Sequence, residues 1–157
     1  MATTVYFSLG TNLGEKERNI KEALLAINKN IGEVIHCSNP YENSAWGFTS
    51  ENLFLNIAVE VKTILSAQQV LNEITHIEKK IGRTTKTKNG IYNDRVIDID
   101  ILFFGSEIID DENLKIPHPL LTQRIFVLKP LCEIAPSFIH PTLKKNIQEL
   151  YNTLKSI

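Results

Sequence analysis

The segment NDRVIDIDILFFG, Asn93 to Gly105, carries two carboxylates, Asp98 and Asp100, inside the most strand-like run of the chain. Side chains alternate along a strand, so Ile97, Ile99 and Ile101 point to one side and the aspartates to the other, about 6.5 Å apart along the backbone. Two like charges on one face of a sheet cost free energy unless water, an arginine or a metal ion compensates them. The solvated face of a one-sided antiparallel sheet meets that need, and so does a divalent cation. Arg83, Lys86, Lys88 and Arg95 precede the pair. Hard oxygen ligands beside several cations are the composition that holds Mg2+ and phosphate in phosphoryl-transfer sites. No GxxxxGK[ST] or GxGxxG run occurs, so a nucleotide bound here would use neither of the common glycine-rich phosphate loops.

Composition narrows the partners. Lys and Arg number 17 against 18 Asp and Glu, a formal net charge of -1, so no global field draws nucleic acid or an anionic membrane. No apolar run approaches the ~20 residues of a membrane span, and the N-terminal stretch lacks a basic and then apolar leader. A soluble, cytoplasmic protein is expected. Cys37 and Cys132 show no CxxC or Cys/His ligand spacing, which predicts buried, reduced thiols. A chain of 157 residues is expected to form one domain, 1–157, around one core.

The elements that must position the carboxylates are legible in outline. Thr3 to Leu9 is rich in β-branched and aromatic residues and reads as a strand. Asn12 and Glu15 suggest a capping box for a helix whose Ile20, Leu24, Ile27 and Ile31 recur at helical spacing, with Gly32 as its stop. Val34 to Tyr41 and Phe54 to Val61 are strand candidates, separated by the loop Ala45 to Asn52. Ser66 and Gln69 cap a second helix with Val70, Ile74, Ile77 and Ile81 as its apolar stripe. Thr84 to Asn93 is polar and aperiodic, a loop. After the aspartate strand, Gly105 and Ser106 allow a turn into EIID as a hairpin partner. Two short helices, around Leu121 to Leu128 and Leu143 to Leu154, are expected, separated by Pro130, Pro136 and Pro141. The order β-α-β-β-α-β predicts an α+β, ferredoxin-like sandwich: a mainly antiparallel sheet with helices packed on one face.

Gly82 and Arg83, DRVIDIDILFFG, IPHP, Arg124 to Phe126 and LKPLCEIAP together resemble the 6-hydroxymethyl-7,8-dihydropterin pyrophosphokinases of folate biosynthesis. YFSLGTNLG and FLN resemble that family's opening turn and pterin-site strand, so the likeness spans essentially the whole chain. The resemblance implies transfer of pyrophosphate from ATP to the hydroxymethyl group of the reduced pterin, with AMP released. It implies two Mg2+ ions at Asp98 and Asp100, and phosphate contacts from Arg83 and Arg95. Thr75, Glu78, Lys86, Ile101, Lys115, His118 and Arg124 match positions on the ATP side. Phe54 and Phe126 match stacking positions for the pterin; Asn56 matches a ring-edge contact, and Asn43, Ser44 and Trp46 the loop around the ring. Gly10 and Asn12 match the opening turn, expected to support that loop. The same resemblance implies a monomer that passes its product to dihydropteroate synthase.

Each residue also has a plainer reading. His118 between prolines could be a turn residue satisfied by backbone, and Phe54 and Phe126 could be core aromatics. Trp46, in a polar Gly/Ser loop, fits recognition better than burial. Two rival functions differ in class: a ferredoxin-like RNA-binding module stacking bases on Phe54 and Trp46, which the absence of an RNP-type aromatic strand and the near-neutral charge disfavour, and a Mg2+-dependent phosphohydrolase.

Overall fold

A computed structural model describes residues 1–43, 53–82 and 96–156. In chain order come β1 (Thr3–Thr11), α1 (Lys16–Asn30), β2 (Gly32–Cys37), β3 (Tyr41–Asn43), β4 (Phe54–Thr63), α2 (Ala67–Ile81) and β5 (Asp98–Phe104). The strands lie in the order β2-β4-β1-β5, all neighbours antiparallel, with β3 paired to the other end of β4. This is the predicted ferredoxin-like order, except that the strand expected over 34–41 is two strands. Pro40 cannot donate to a ladder. At the break, Ser38 N–H donates to the Ala58 carbonyl and Ala58 N–H to Ser38 Oγ, each at 2.9 Å.

The helices cover both faces, not one. α1 and α2 pack on Val5, Phe7, Leu9, Ile57 and Val59. α3 (Ile125–Ile134) and α4 (Ile147–Lys155) pack on the opposite face against Tyr6, Ala58, Leu102 and Phe103. The cause lies in the central strand: β1 is buried at every residue from Val5 to Thr11, and a sheet apolar on both faces needs a layer on each.

Several local expectations change. The Ser66–Gln69 capping box starts α2 as predicted. At α1 it fails: β1 runs on to Thr11, Asn12 is buried in the turn, Gly14 takes φ +69°, and the helix starts at Lys16 with no side-chain cap. EIID does not pair with β5; Ile109–Asp110 (β6) pairs with Lys115–Ile116 (β7) in a separate small sheet. α3 runs through Pro130, whose ring is buried, and α4 starts at a second capping box, Asn146 with Glu149. Cys37 is exposed rather than buried, and both cysteines are free thiols.

One irregularity shapes the site. Tyr6 faces Phe103 but Phe7 faces Ile101, so Leu102 is an extra residue in β5. A bulge of this kind reverses the alternation beyond it. Ile99 and Ile101 enter the α1/α2 core, Leu102 and Phe103 the α3/α4 core, and Phe104 the first core again. The Leu102 carbonyl accepts the His118 N–H at 3.0 Å.

Candidate active site

Cross-strand register places the chemistry-bearing residues in rows. Asp98 lies opposite Gly10, Gly10 opposite Asn56 and Asn56 opposite Tyr41, while Asp100 lies opposite Ser8 and Ser8 opposite Ala58. Directly paired residues share a face, so these all face the α3/α4 layer, toward the end of the sheet that holds Asn56 and the aspartates. Both aspartates are partly exposed. Gly10 keeps the row open: a Cβ there would lie 2.7 Å from Asn56 Nδ2.

The aspartate strand is an edge strand, held from outside by α2. Glu78 Oε2 accepts the N–H of Ile99, between the two aspartates, at 2.8 Å. On the inner side, Arg124 Nη1 and His118 Nε2 approach Asp100 Oδ2 to 3.8 and 4.0 Å. His118 Nδ1 accepts the Leu120 N–H at 3.1 Å, so the proton of the neutral ring sits on Nε2. Burial, helped by the Arg124 charge and opposed by Asp98, pushes this imidazole down to about 4. Near neutral pH the ring is therefore an uncharged donor aimed at the carboxylate pair. Two partly exposed carboxylates with a guanidinium and an N–H beside them suit a hard divalent cation carrying an anionic ligand.

A cavity of about 290 Å³ opens beside the pair, lined among others by Leu71, Ile74, Ile99, Ile101, Lys115 and His118. Lys115 Nζ also bonds Asp110 at 2.6 Å. Thr75 is exposed and turns its hydroxyl back onto the Leu71 carbonyl at 3.0 Å. On the other side of Gly10, Asn43 Nδ2 donates to Asn56 Oδ1 at 2.6 Å and to the Phe54 carbonyl at 3.4 Å. Phe126 opens α3, and the Arg124 guanidinium lies 5.7 Å from its ring centre. The structure thus gathers Asp98, Asp100, His118, Arg124, Ile101 and Lys115 on one side and Asn43, Phe54 and Asn56 on the other, with Phe126 next to Arg124. Ser44, Trp46, Arg83, Lys86 and Arg95 lie outside the described residues.

Sequence reading missed how β3 is tied to α3. Glu133 accepts both the backbone N–H and the side-chain amide of Asn39, at 2.7 and 2.6 Å. Lys129 Nζ lies 5.0 Å above the Tyr41 ring. Phe126, Lys129 and Glu133 follow i, i+3, i+7 spacing, one helix face, and that spacing was a signal available in the sequence.

Fold and site together define a ferredoxin-like α+β domain with a partly exposed carboxylate pair on one face of its edge strand. The family model described as 7,8-dihydro-6-hydroxymethylpterin-pyrophosphokinase (HPPK) matches residues 6–136. The chain belongs to this family. It is 41% identical over 154 residues to the 2-amino-4-hydroxy-6-hydroxymethyldihydropteridine pyrophosphokinase of Aquifex aeolicus, covering 97% of this chain and 94% of that relative. Its identity to the same-named protein of Porphyromonas gingivalis is 40% over 138 residues, 87% of this chain and 93% of the relative. Among solved structures, a Plasmodium falciparum HPPK-DHPS triple mutant with SDX-DHP superposes with a TM-score of 0.78 at 20% identity, over 99% of this chain. An HPPK-DHPS in complex with substrates gives 0.75 at 16% over 96%. At those identities the likeness is one of fold, and this chain spans 45% and 43% of those longer chains.

Proposed function

We propose that the protein transfers the terminal pyrophosphoryl group of ATP to the hydroxymethyl oxygen of 6-hydroxymethyl-7,8-dihydropterin, releasing AMP, as a step of tetrahydrofolate biosynthesis. The observation that carries this reading is the row Asp98–Gly10–Asn56. It sets the carboxylates, read here as the phosphate-and-cation site, and a ring-edge amide two strands apart, about 10 Å, across Gly10, which adds no side chain of its own. A pyrophosphoryl donor and a hydroxymethyl acceptor held at the two ends of such a span can be lined up for in-line attack.

Asp98 and Asp100 would hold Mg2+, two ions in this reading, and the metal supplies charge screening of the triphosphate. The protein positions and stabilises, and needs no covalent nucleophile. Arg124 and the Nε2–H of His118 donate to anionic oxygens on the inner side of Asp100. The cavity beside Ile101 receives the adenine, with Lys115 on its wall and Thr75 and Glu78 on the neighbouring helix. Arg83, Arg95 and Lys86 belong to the phosphate site through the family resemblance. Phe54 and Phe126 stack the pterin, Asn56 reads its edge, and Asn43, Ser44 and Trp46 wrap it.

The chain works as one unit over 1–157, as a cytoplasmic monomer whose product goes to dihydropteroate synthase. Among the described residues no helix is long and apolar enough to cross a membrane. The test is incubation with ATP, Mg2+ and the reduced hydroxymethylpterin: AMP should appear in step with loss of the pterin. ADP, inorganic phosphate or pterin-independent AMP would overturn the proposal.

A further inference from the structure

We propose that Asn43 sets which ligand edge Asn56 can read, so that the slot accepts 4-oxo and rejects 4-amino pteridines; this rests on the pterin reading above. A side-chain amide presents a donor or an acceptor according to how it is turned, so its neighbours decide its selectivity. The chain of constraint here starts at a group that cannot turn. The Phe54 carbonyl can only accept, and it takes Asn43 Nδ2 at 3.4 Å. Turning the Asn43 amide over would set carbonyl against carbonyl. With its NH2 group fixed, Asn43 donates to Asn56 Oδ1 at 2.6 Å. Turning the Asn56 amide would then bring two NH2 groups together at that distance.

Asn56 Nδ2 is thereby committed to the opposite side, over Gly10. A Cβ on residue 10 would lie 2.7 Å from it, so the glycine is part of the same arrangement. Asn56 is 5% exposed, and at that burial water cannot repair a mismatched contact. The slot is offered an amide nitrogen that donates and a carbonyl with a second lone pair still able to accept. A lactam edge, ring N–H beside C=O, complements that pair. An amidine edge, bare ring nitrogen beside NH2, reverses both signs and would need the turned amide.

The test measures binding of 6-hydroxymethylpterin and of 2,4-diamino-6-hydroxymethylpteridine to the full chain, by pteridine fluorescence with Mg2+ and a non-hydrolysable ATP analogue present. The ratio within one variant cancels any loss of folded protein. The unsubstituted protein should prefer the 4-oxo compound by about 100-fold or more. Asn43→Leu removes the fixed donor and should bring the ratio to about tenfold or below. Asn43→Asp offers only acceptors, should draw Asn56 Nδ2 toward itself, and should reverse the preference. Ratios unchanged in both variants would overturn the proposal. Binding of neither compound by the unsubstituted protein would overturn the pterin reading itself, a different result.

Discussion

Glu78 reaches from α2 across the open edge of β5 and takes the N–H of Ile99 at 2.8 Å, between Asp98 and Asp100. The bond fixes the backbone that carries both carboxylates. Glu78→Gln keeps an oxygen acceptor and should stay close to the unsubstituted protein. Glu78→Ala should lose about 1 kcal/mol of stability. It should also raise the Mg2+ concentration for half-maximal rate about tenfold, as loss of support behind a metal ligand does. Urea titration and a Mg2+ titration of AMP formation measure the two effects; a stability loss with unchanged Mg2+ response would make Glu78 purely structural.

Removing a carboxylate separates chemistry from folding. Asp100→Ala should lower turnover by several orders of magnitude. It relieves repulsion with Asp98 but removes the carboxylate from beside Arg124 and His118. Its stability should therefore stay within about 1 kcal/mol of the original. Full activity at saturating Mg2+ would discredit the metal role.

Gly10→Ala forces a methyl to 2.7 Å from Asn56 Nδ2. The amide must shift, and KM for the pterin should rise about tenfold or more. Binding of the ATP analogue should hardly change, since the cavity beside Ile101 does not include residue 10. Equal losses for both ligands in calorimetry would mean that the strand itself had been distorted.

Phe126→Ala should weaken pterin binding about tenfold by loss of ring stacking and buried area. ATP should be affected less, although Arg124 lies against the same ring. Affinities falling together would place Phe126 in the core rather than in the slot.

Acid should destabilise the fold through His140. Its Nδ1 accepts two backbone N–H groups, from Thr142 and Leu143, at 3.2 and 3.1 Å, and burial lowers its pKa from the ordinary value of 6.5. The unfolded chain then takes up a proton that the folded chain refuses, so this contribution is complete above pH 6.5 and is lost as pH falls below it. His140→Asn keeps an acceptor without a titrating group. Its urea midpoint should fall less between pH 7 and pH 5 than that of the unsubstituted protein, and identical slopes would rule His140 out as the source.

Much of this was legible because periodicity speaks directly about burial. The isoleucines of β5 and the stripe of α2 lie where their spacing puts them, and the strand order followed from the element order. Where packing outweighed local propensity, the reading failed. Asn12 looked like a helix cap, but the sheet kept β1 extended up to Thr11 and left Asn12 buried in the turn that follows. Pro130 looked like a helix end, yet its ring is worth burying in the second core. The partners of the aspartates were partly legible, since His118 and Arg124 were named through family likeness. Glu78 was placed beside the nucleotide, and nothing local in the sequence shows that its carboxylate meets a backbone N–H 21 residues on. The Asn39–Glu133 clamp spans 94 residues and exists only once α3 has docked.

The bulge at Leu102 bears on how the molecule avoids its own kind. β5 closes one side of the sheet, and an edge strand with idle N–H and C=O groups invites a strand from another chain. Here the Leu102 carbonyl is taken by the His118 N–H and the Ile99 N–H by Glu78. The groups that steady the carboxylates thus also blunt the edge, so variants that loosen them should associate more readily in concentrated solution.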